Sequence, residues 1–169
     1  MSTDAIVKAR EEHKMIRKLI RAYRSNRYDA GTDETDPRAK IMDQLVEAVT
    51  VHQYVEDEVM YPRIRTAAPD IRPTTLELHE EHHVCDMLAG ELSSMSPEDP
   101  AYDAKARVMM DTIERHLHRE EQDWFPRVRE AVSRKELQSI GVSMETVREQ
   151  APHHPHRPLL RKLSDAIAA

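Results

Sequence analysis

Scarcity constrains this sequence before any motif does. Its 169 residues hold one cysteine, Cys85, which excludes an internal disulfide framework and any thiolate-rich metal cluster. With 3 glycines, 1 phenylalanine and 1 tryptophan, it is short of the turn residues and aromatic strand formers that a β-sandwich or barrel needs. Bases are outnumbered, 25 Lys and Arg against 31 Asp and Glu, and the net charge of −6 disfavours a nucleic-acid surface. No stretch approaches the ~20 apolar residues of a membrane span. The opening Met1-Ser2-Thr3-Asp4 also lacks the basic and apolar segments of a leader peptide. These absences predict a cytoplasmic globular protein with neither membrane nor nucleic acid as partner. What the sequence has in quantity is histidine, 10 in all.

Helix punctuation divides the chain. Thr3 or Asp4 can cap a first helix to about Tyr23, and Gly31-Thr32-Asp33 reads as loop. Asp36-Pro37, a cap followed by proline at the first helical position, opens a second helix to Tyr61-Pro62. A break at Pro69–Pro73 precedes a third helix to about Met95. Asp99-Pro100 starts a fourth, ending near Phe125-Pro126 or one turn beyond. Ser133 to Glu136 reads as a capping box for a short helix that Gly141 interrupts. Past Pro152 comes an extended His/Pro tail and a last helical piece, Leu159 to Ile167. Apolar stripes of helical period run through Ile6, Ile16 and Ile20, through Leu45, Val55 and Val59, through Leu78, Cys85 and Leu92, and through Met109, Ile113 and Leu117. The expected fold is all-α, an antiparallel up-down-up-down four-helix bundle over residues 1–132. Residues 133–169 form a C-terminal helical extension and tail.

The chain repeats itself. His52 to Arg65 and His116 to Arg129 share 5 of 14 residues, among them His52/His116, Glu56/Glu120 and Pro62/Pro126. Glu11-Glu12-His13 on the first helix answers Glu80-Glu81-His82 on the third. Two helical hairpins, each with EEH then HxxxE, predict approximate two-fold symmetry. Residues four apart on a helix lie within ~40° of each other, so each His/Glu pair shares one face. All six side chains fall in the apolar stripes and point inward.

A lone inward histidine is ordinarily a hydrogen-bonded core residue. Six polar groups together are different, because each one buried unpaired costs ~1–3 kcal/mol, against a folding stability of ~5–15 kcal/mol. Four imidazoles and two carboxylates also make the shell of a dinuclear metal site, the carboxylates shared and two imidazoles completing each side. Nitrogen and oxygen donors without thiolate favour iron or manganese over structural zinc, and imidazole-rich sites lean to iron. The donor set leans to a pair of iron ions with open positions for water or an oxo or hydroxo bridge, and leaves zinc or manganese occupancy open.

Over residues 4 to 132 this pattern resembles the hemerythrin-like family, the HHE cation-binding domain. The single small domain and HxxxE on the fourth helix look most like its mycobacterial-type single-domain members. The resemblance implies di-iron ligands His13, His52, Glu56, His82, His116 and Glu120, with both glutamates bridging. It implies catalase-like consumption of hydrogen peroxide. The alternative is binding or sensing of dioxygen, nitric oxide or iron without turnover. Oxygen carriers of the family have a further His four residues before the third-helix ligand, where this chain has Leu78. His79 and His83 could replace His82 if the helix rotated, and Glu121 could replace Glu120, but the stripes and the repeat favour His82 and Glu120. Asp57, Glu58 and Glu121 are candidates to orient imidazole N–H groups. Tyr54 and Tyr61 fall on the face away from His52 and read as packing or surface residues, Cys85 as a small hydrophobe, and His118 as solvated.

Overall fold

In the computed structural model, which describes residues 4–26 and 37–155, Asp4 starts the fold. Its carboxylate accepts from the amides of Ile6 (2.9 Å) and Val7 (3.2 Å), satisfying two donors that a helix start leaves open. Helix α1 follows (Ala5–Ser25) and buries Ile6, Ala9, His13, Ile16, Ile20 and Tyr23 on one stripe. Helix α2 (Pro37–Val55) begins on the proline, as expected. Its proposed cap Asp36, the loop at Gly31 and the helical piece from Leu159 to Ile167 lie outside the described residues. The buried face of α2 centres on Met42, Leu45, Val49 and His52, leaving Ile41 and Ala48 half-buried at its edge.

The second helix does not end at Tyr61-Pro62. It widens into a π turn, Glu56–Met60, and continues as α3 (Tyr61–Ala67). A proline ring clashes with the carbonyl four residues back, and widening the turn before it relieves that clash. The repeat does the same: α5 (Tyr102–Arg119) passes through a π turn, Glu120–Trp124, into α6 (Phe125–Ala131) around Pro126. Between them α4 spans Arg72–Leu92, stopping short of Met95. Helix α5 starts at Tyr102, because Asp99-Pro100 builds a preceding turn in which Asp99 accepts from the Ala101 amide at 2.8 Å.

Helix α7 (Arg134–Arg148) is capped by Ser133, whose hydroxyl accepts from the Glu136 amide at 3.2 Å. The box is only half closed, since the Glu136 carboxylate accepts instead from Arg63. Gly141 does not interrupt this helix. It is buried on the face carrying Leu137, Ile140 and Met144, where α7 packs on α1, α2 and the first π turn.

Helix α1 packs on α2 and α5, and α4 on α5 and α2, giving the four-helix bundle. Its core is not continuous. One apolar cluster holds Ile6, Val59, Met60, Trp124, Phe125 and Ile140, and the other holds Ile20, Leu45, Met109 and Leu117. Each fully buried Leu or Ile contributes ~1.5–3 kcal/mol. Between the clusters lies a layer of buried polar side chains. Among the described residues no helix is long and apolar enough to cross a membrane.

Candidate metal centre

That layer consists of His13, His52, Glu56, His82, His116 and Glu120, each at most 2% exposed. The structure brings all six together. His13 and His52, from one hairpin, face each other with ring centroids 5.0 Å apart, and His82 and His116, from the other, at 4.6 Å. The carboxylates lie between the pairs. Glu56 Oε2 is 3.4 Å from His52 Nε2 and 3.5 Å from His82 Nε2. Glu120 Oε2 is 3.2 Å from His13 Nε2 and 3.6 Å from His116 Nε2. Each glutamate therefore reaches one imidazole of either hairpin.

The outer nitrogens are held alike. Nδ1 of His13 donates to Glu121 (2.7 Å), Nδ1 of His52 to Glu12 (2.8 Å), Nδ1 of His82 to Asp57 (2.9 Å) and Nδ1 of His116 to Glu81 (2.7 Å). An ionised carboxylate only accepts, so each Nδ1 carries the proton and each Nε2 is turned inward. Asp57 and Glu121 occupy the orienting role expected of them, Glu58 is exposed, and Glu121 is not an inner group. Glu12 and Glu81 complete the set; their signal was the acid directly before each histidine in the repeated EEH.

Six carboxylates around four imidazoles make a field that favours positive charge. Burial alone would lower the His13 pKa, but the nearby carboxylates of Glu120 and Glu121 outweigh it and raise it to about 9. For His82, burial is likewise overcome by Asp57 and Glu56, and the value rises to about 10. His52 moves down, through burial and the neighbouring charged imidazoles. Glu120 resists burial and stays well below the usual carboxylate range beside His116 and His13. Protonated His82 can then donate from Nε2 to His116 Nε2, 3.0 Å away.

The donor set fits metal binding on a local test. Nε2 of His13 and His52, both oxygens of Glu56 and Oε2 of Glu120 are buried without a hydrogen-bonding partner. Such atoms are costly unless something else satisfies them. His13, His52, Glu56 and Glu120 present donor atoms within 4.8 Å of one another, and so do Glu56, His82 and His116.

Tyr61 corrects the expectation that it faces away. It is 1% exposed, its hydroxyl donates to Glu120 Oε1 at 2.8 Å, and its ring stacks on His82 at 5.2 Å. On a plain α-helix Tyr61 would sit about 140° from Glu56. The π turn closes after about five residues and returns it to the same side. Its two-fold counterpart Phe125 stacks on His13 at 5.6 Å. The spacing of Glu, then an aromatic residue five later, then proline, occurs in both halves and was the available signal. Burial and the negative glutamates hold the Tyr61 pKa well above its ordinary value, so it remains a phenol and a donor. Tyr54 is half-buried, and Cys85 is pushed up to about 12 by burial and packs as a small hydrophobe. His79 and His83 stay outside the layer, 31% and 51% exposed.

A family model described as the Hemerythrin HHE cation binding domain matches residues 4–128. A DNA nickase of Nostoc sp. PCC 7120 is 24% identical over 107 residues, 63% of this chain. The chain spans 30% of that relative's length. An uncharacterized protein of Mycobacterium tuberculosis H37Rv is 28% identical over 123 residues, 72% of this chain and 73% of the relative. The crystal structure of a hemerythrin HHE cation binding domain-containing protein from Mycobacterium kansasii, a homolog of that protein, superposes with a TM-score of 0.69. It is 24% identical and covers 87% of this chain and 86% of its own.

Proposed function

Because the chain belongs to the hemerythrin HHE cation-binding family, we propose that His13, His52, Glu56, His82, His116 and Glu120 hold two iron ions and that the loaded protein consumes hydrogen peroxide. The observation that carries this reading is the set of buried Nε2 and carboxylate oxygen atoms that no protein group satisfies. His13 with His52 would hold one ion, His82 with His116 the other, and Glu56 and Glu120 would be shared. Bound iron supplies redox and Lewis-acid chemistry. The reaction is a disproportionation: two peroxides give two waters and one dioxygen. One peroxide is oxidised as the other is reduced, so no outside reductant is needed.

The chain's own groups prepare that chemistry. The outer carboxylates fix each imidazole's tautomer and ring angle, leaving Nε2 as the donor. Tyr61 holds Glu120 by one oxygen and leaves the other free toward His13 and His116. Phe125, Trp124 and Tyr61, each at most 1% exposed, close one side of the layer against bulk water. Burial this complete suits a reactant as small as peroxide rather than an organic substrate.

The test is elemental analysis and a visible spectrum of the protein purified from cells, followed by an oxygen electrode. About two irons per chain and oxygen evolved on adding peroxide are expected. A reversible colour change with dioxygen, and none evolved from peroxide, would assign the protein to carriage or sensing. Purified protein without stoichiometric metal would remove the centre altogether.

A further inference from the structure

The two-fold repeat sets Glu11-Glu12-His13 against Glu80-Glu81-His82, and so pairs Arg10 with His79 and Lys14 with His83. One hairpin has two permanent cations where the other has two imidazoles. The outer carboxylates show the same contrast. Glu121 is met by Arg17 at 2.8 Å, Glu81 by Arg119 at 2.8 Å and Glu12 by Arg148, whereas Asp57 is met by His79, at 2.8 Å. At this corner a metal-binding side chain stands in place of a guanidinium.

We propose that His79 and His83 form a second, surface site for a divalent transition cation of borderline softness, outside the buried centre. One turn apart on α4, their rings are 4.6 Å between centroids, and with Glu80 they present donor atoms within 4.8 Å of one another. Each ring is prepared as the buried ones are. Nδ1 of His79 donates to Asp57 (2.8 Å) and Nδ1 of His83 to Glu80 (3.1 Å), leaving both Nε2 atoms as donors. Two imidazole nitrogens with water completing the shell suit zinc, copper, nickel or ferrous iron, and the nearby carboxylates add favourable charge. Asp57 accepts from His79 and from His82, so the surface site shares a carboxylate with the interior.

The purified full-length protein is titrated with Zn2+ by calorimetry, with the metal content of its buried centre counted before and after. His83→Lys, which copies the other hairpin, is titrated beside it, as is a variant with His153, His154 and His156 replaced by alanine. Wild type and tail variant should bind one further Zn2+ with similar affinity, and His83→Lys should bind it at least about tenfold more weakly. His83→Lys binding as wild type does, or the tail variant losing the site, overturns the proposal, as does wild type taking up no further Zn2+. His83 is not one of the six inner residues, so a centre found without metal leaves this comparison standing.

Discussion

The two hairpins bring the same inner groups to the bundle's middle layer, yet they treat them differently. In the first, the aromatic residue after the π turn is Tyr61, which reaches across to hold Glu120 at 2.8 Å. In the second it is Phe125, which stacks on His13 and has no hydroxyl to offer Glu56. Glu120 consequently has one oxygen satisfied by protein, while Glu56 has neither. At this position the ring and helix placement follow the repeat, and Tyr61 differs from Phe125 by one oxygen atom. The repeat explains the shape of the site; the departures from it are where the two sides meet different contacts.

The largest break in that comparison is removal of a shared carboxylate. Glu56→Ala and Glu120→Ala should each abolish stoichiometric metal binding, read by elemental analysis, because each glutamate serves both imidazole pairs. Each variant also forfeits the mass-action stabilisation of a bound ion, ~2.7 kcal/mol at a hundredfold excess over Kd. Full metal retention by either would refute the shared-carboxylate reading. Next in size are the outer partners. Asp57→Asn and Glu121→Gln touch two-fold equivalent imidazoles, His82 and His13, and each should cost ~10–100-fold in metal affinity. Unequal losses in competition with a chelator would rank the two sides.

Tyr61→Phe makes the halves alike. In the metal-free protein it leaves Glu120 Oε1 buried without its donor, an expected loss of ~1–3 kcal/mol in urea unfolding. Phe125→Tyr tests the symmetry from the other side, because the two-fold relation sends its new hydroxyl toward the unpaired Glu56. That variant should fold and lose less stability than Tyr61→Phe. A larger loss would mean that the pocket around Phe125 is not the image of the one around Tyr61.

Much of this was legible in the sequence because helix period is a rigid ruler. Stripes through Ile6, Ile16 and Ile20 or through Met109 and Ile113 oriented their helices, and the polar gaps in those stripes are His13, His52, Glu56, His82, His116 and Glu120. Asp4, one of two cap candidates with Thr3, and Ser133 are legible as caps since a cap is a local event. What escaped were departures from the ruler. A π turn adds one residue and rotates everything after it, so period alone puts Tyr61 on the wrong face. Proline reads as a stop at Pro62, and as a stop there or one turn beyond at Pro126, yet both helices continue once the turn before the ring has widened. Gly141 reads as a break, although α7 uses its small size at a buried packing face. These outcomes depend on tertiary contact, which period alone does not record.

The smallest effect belongs to the far end of the bundle, where the halves also differ: Tyr23 of α1 answers Leu92 of α4. The Tyr23 hydroxyl donates to Asp103 at 2.9 Å, and Arg38 donates to the Tyr23 oxygen at 3.0 Å and also reaches Asp103. Partial burial would raise the Asp103 pKa, but Arg38 and Tyr23 outweigh it and hold the carboxyl below its ordinary 3.8. A carboxyl depressed in the folded state adds stability that is fully present above its unfolded value. That stability is lost as pH falls through the lower, folded one. Metal-free wild type should therefore lose this increment in urea titrations below about pH 4, whereas Asp103→Asn, lacking the charge, should lack that part of the acid dependence. Asp103 is 41% exposed, so solvent keeps the increment small. Identical acid profiles for the two proteins would show that this polar cluster contributes no more than the Leu92 side, where the same position is filled by hydrocarbon.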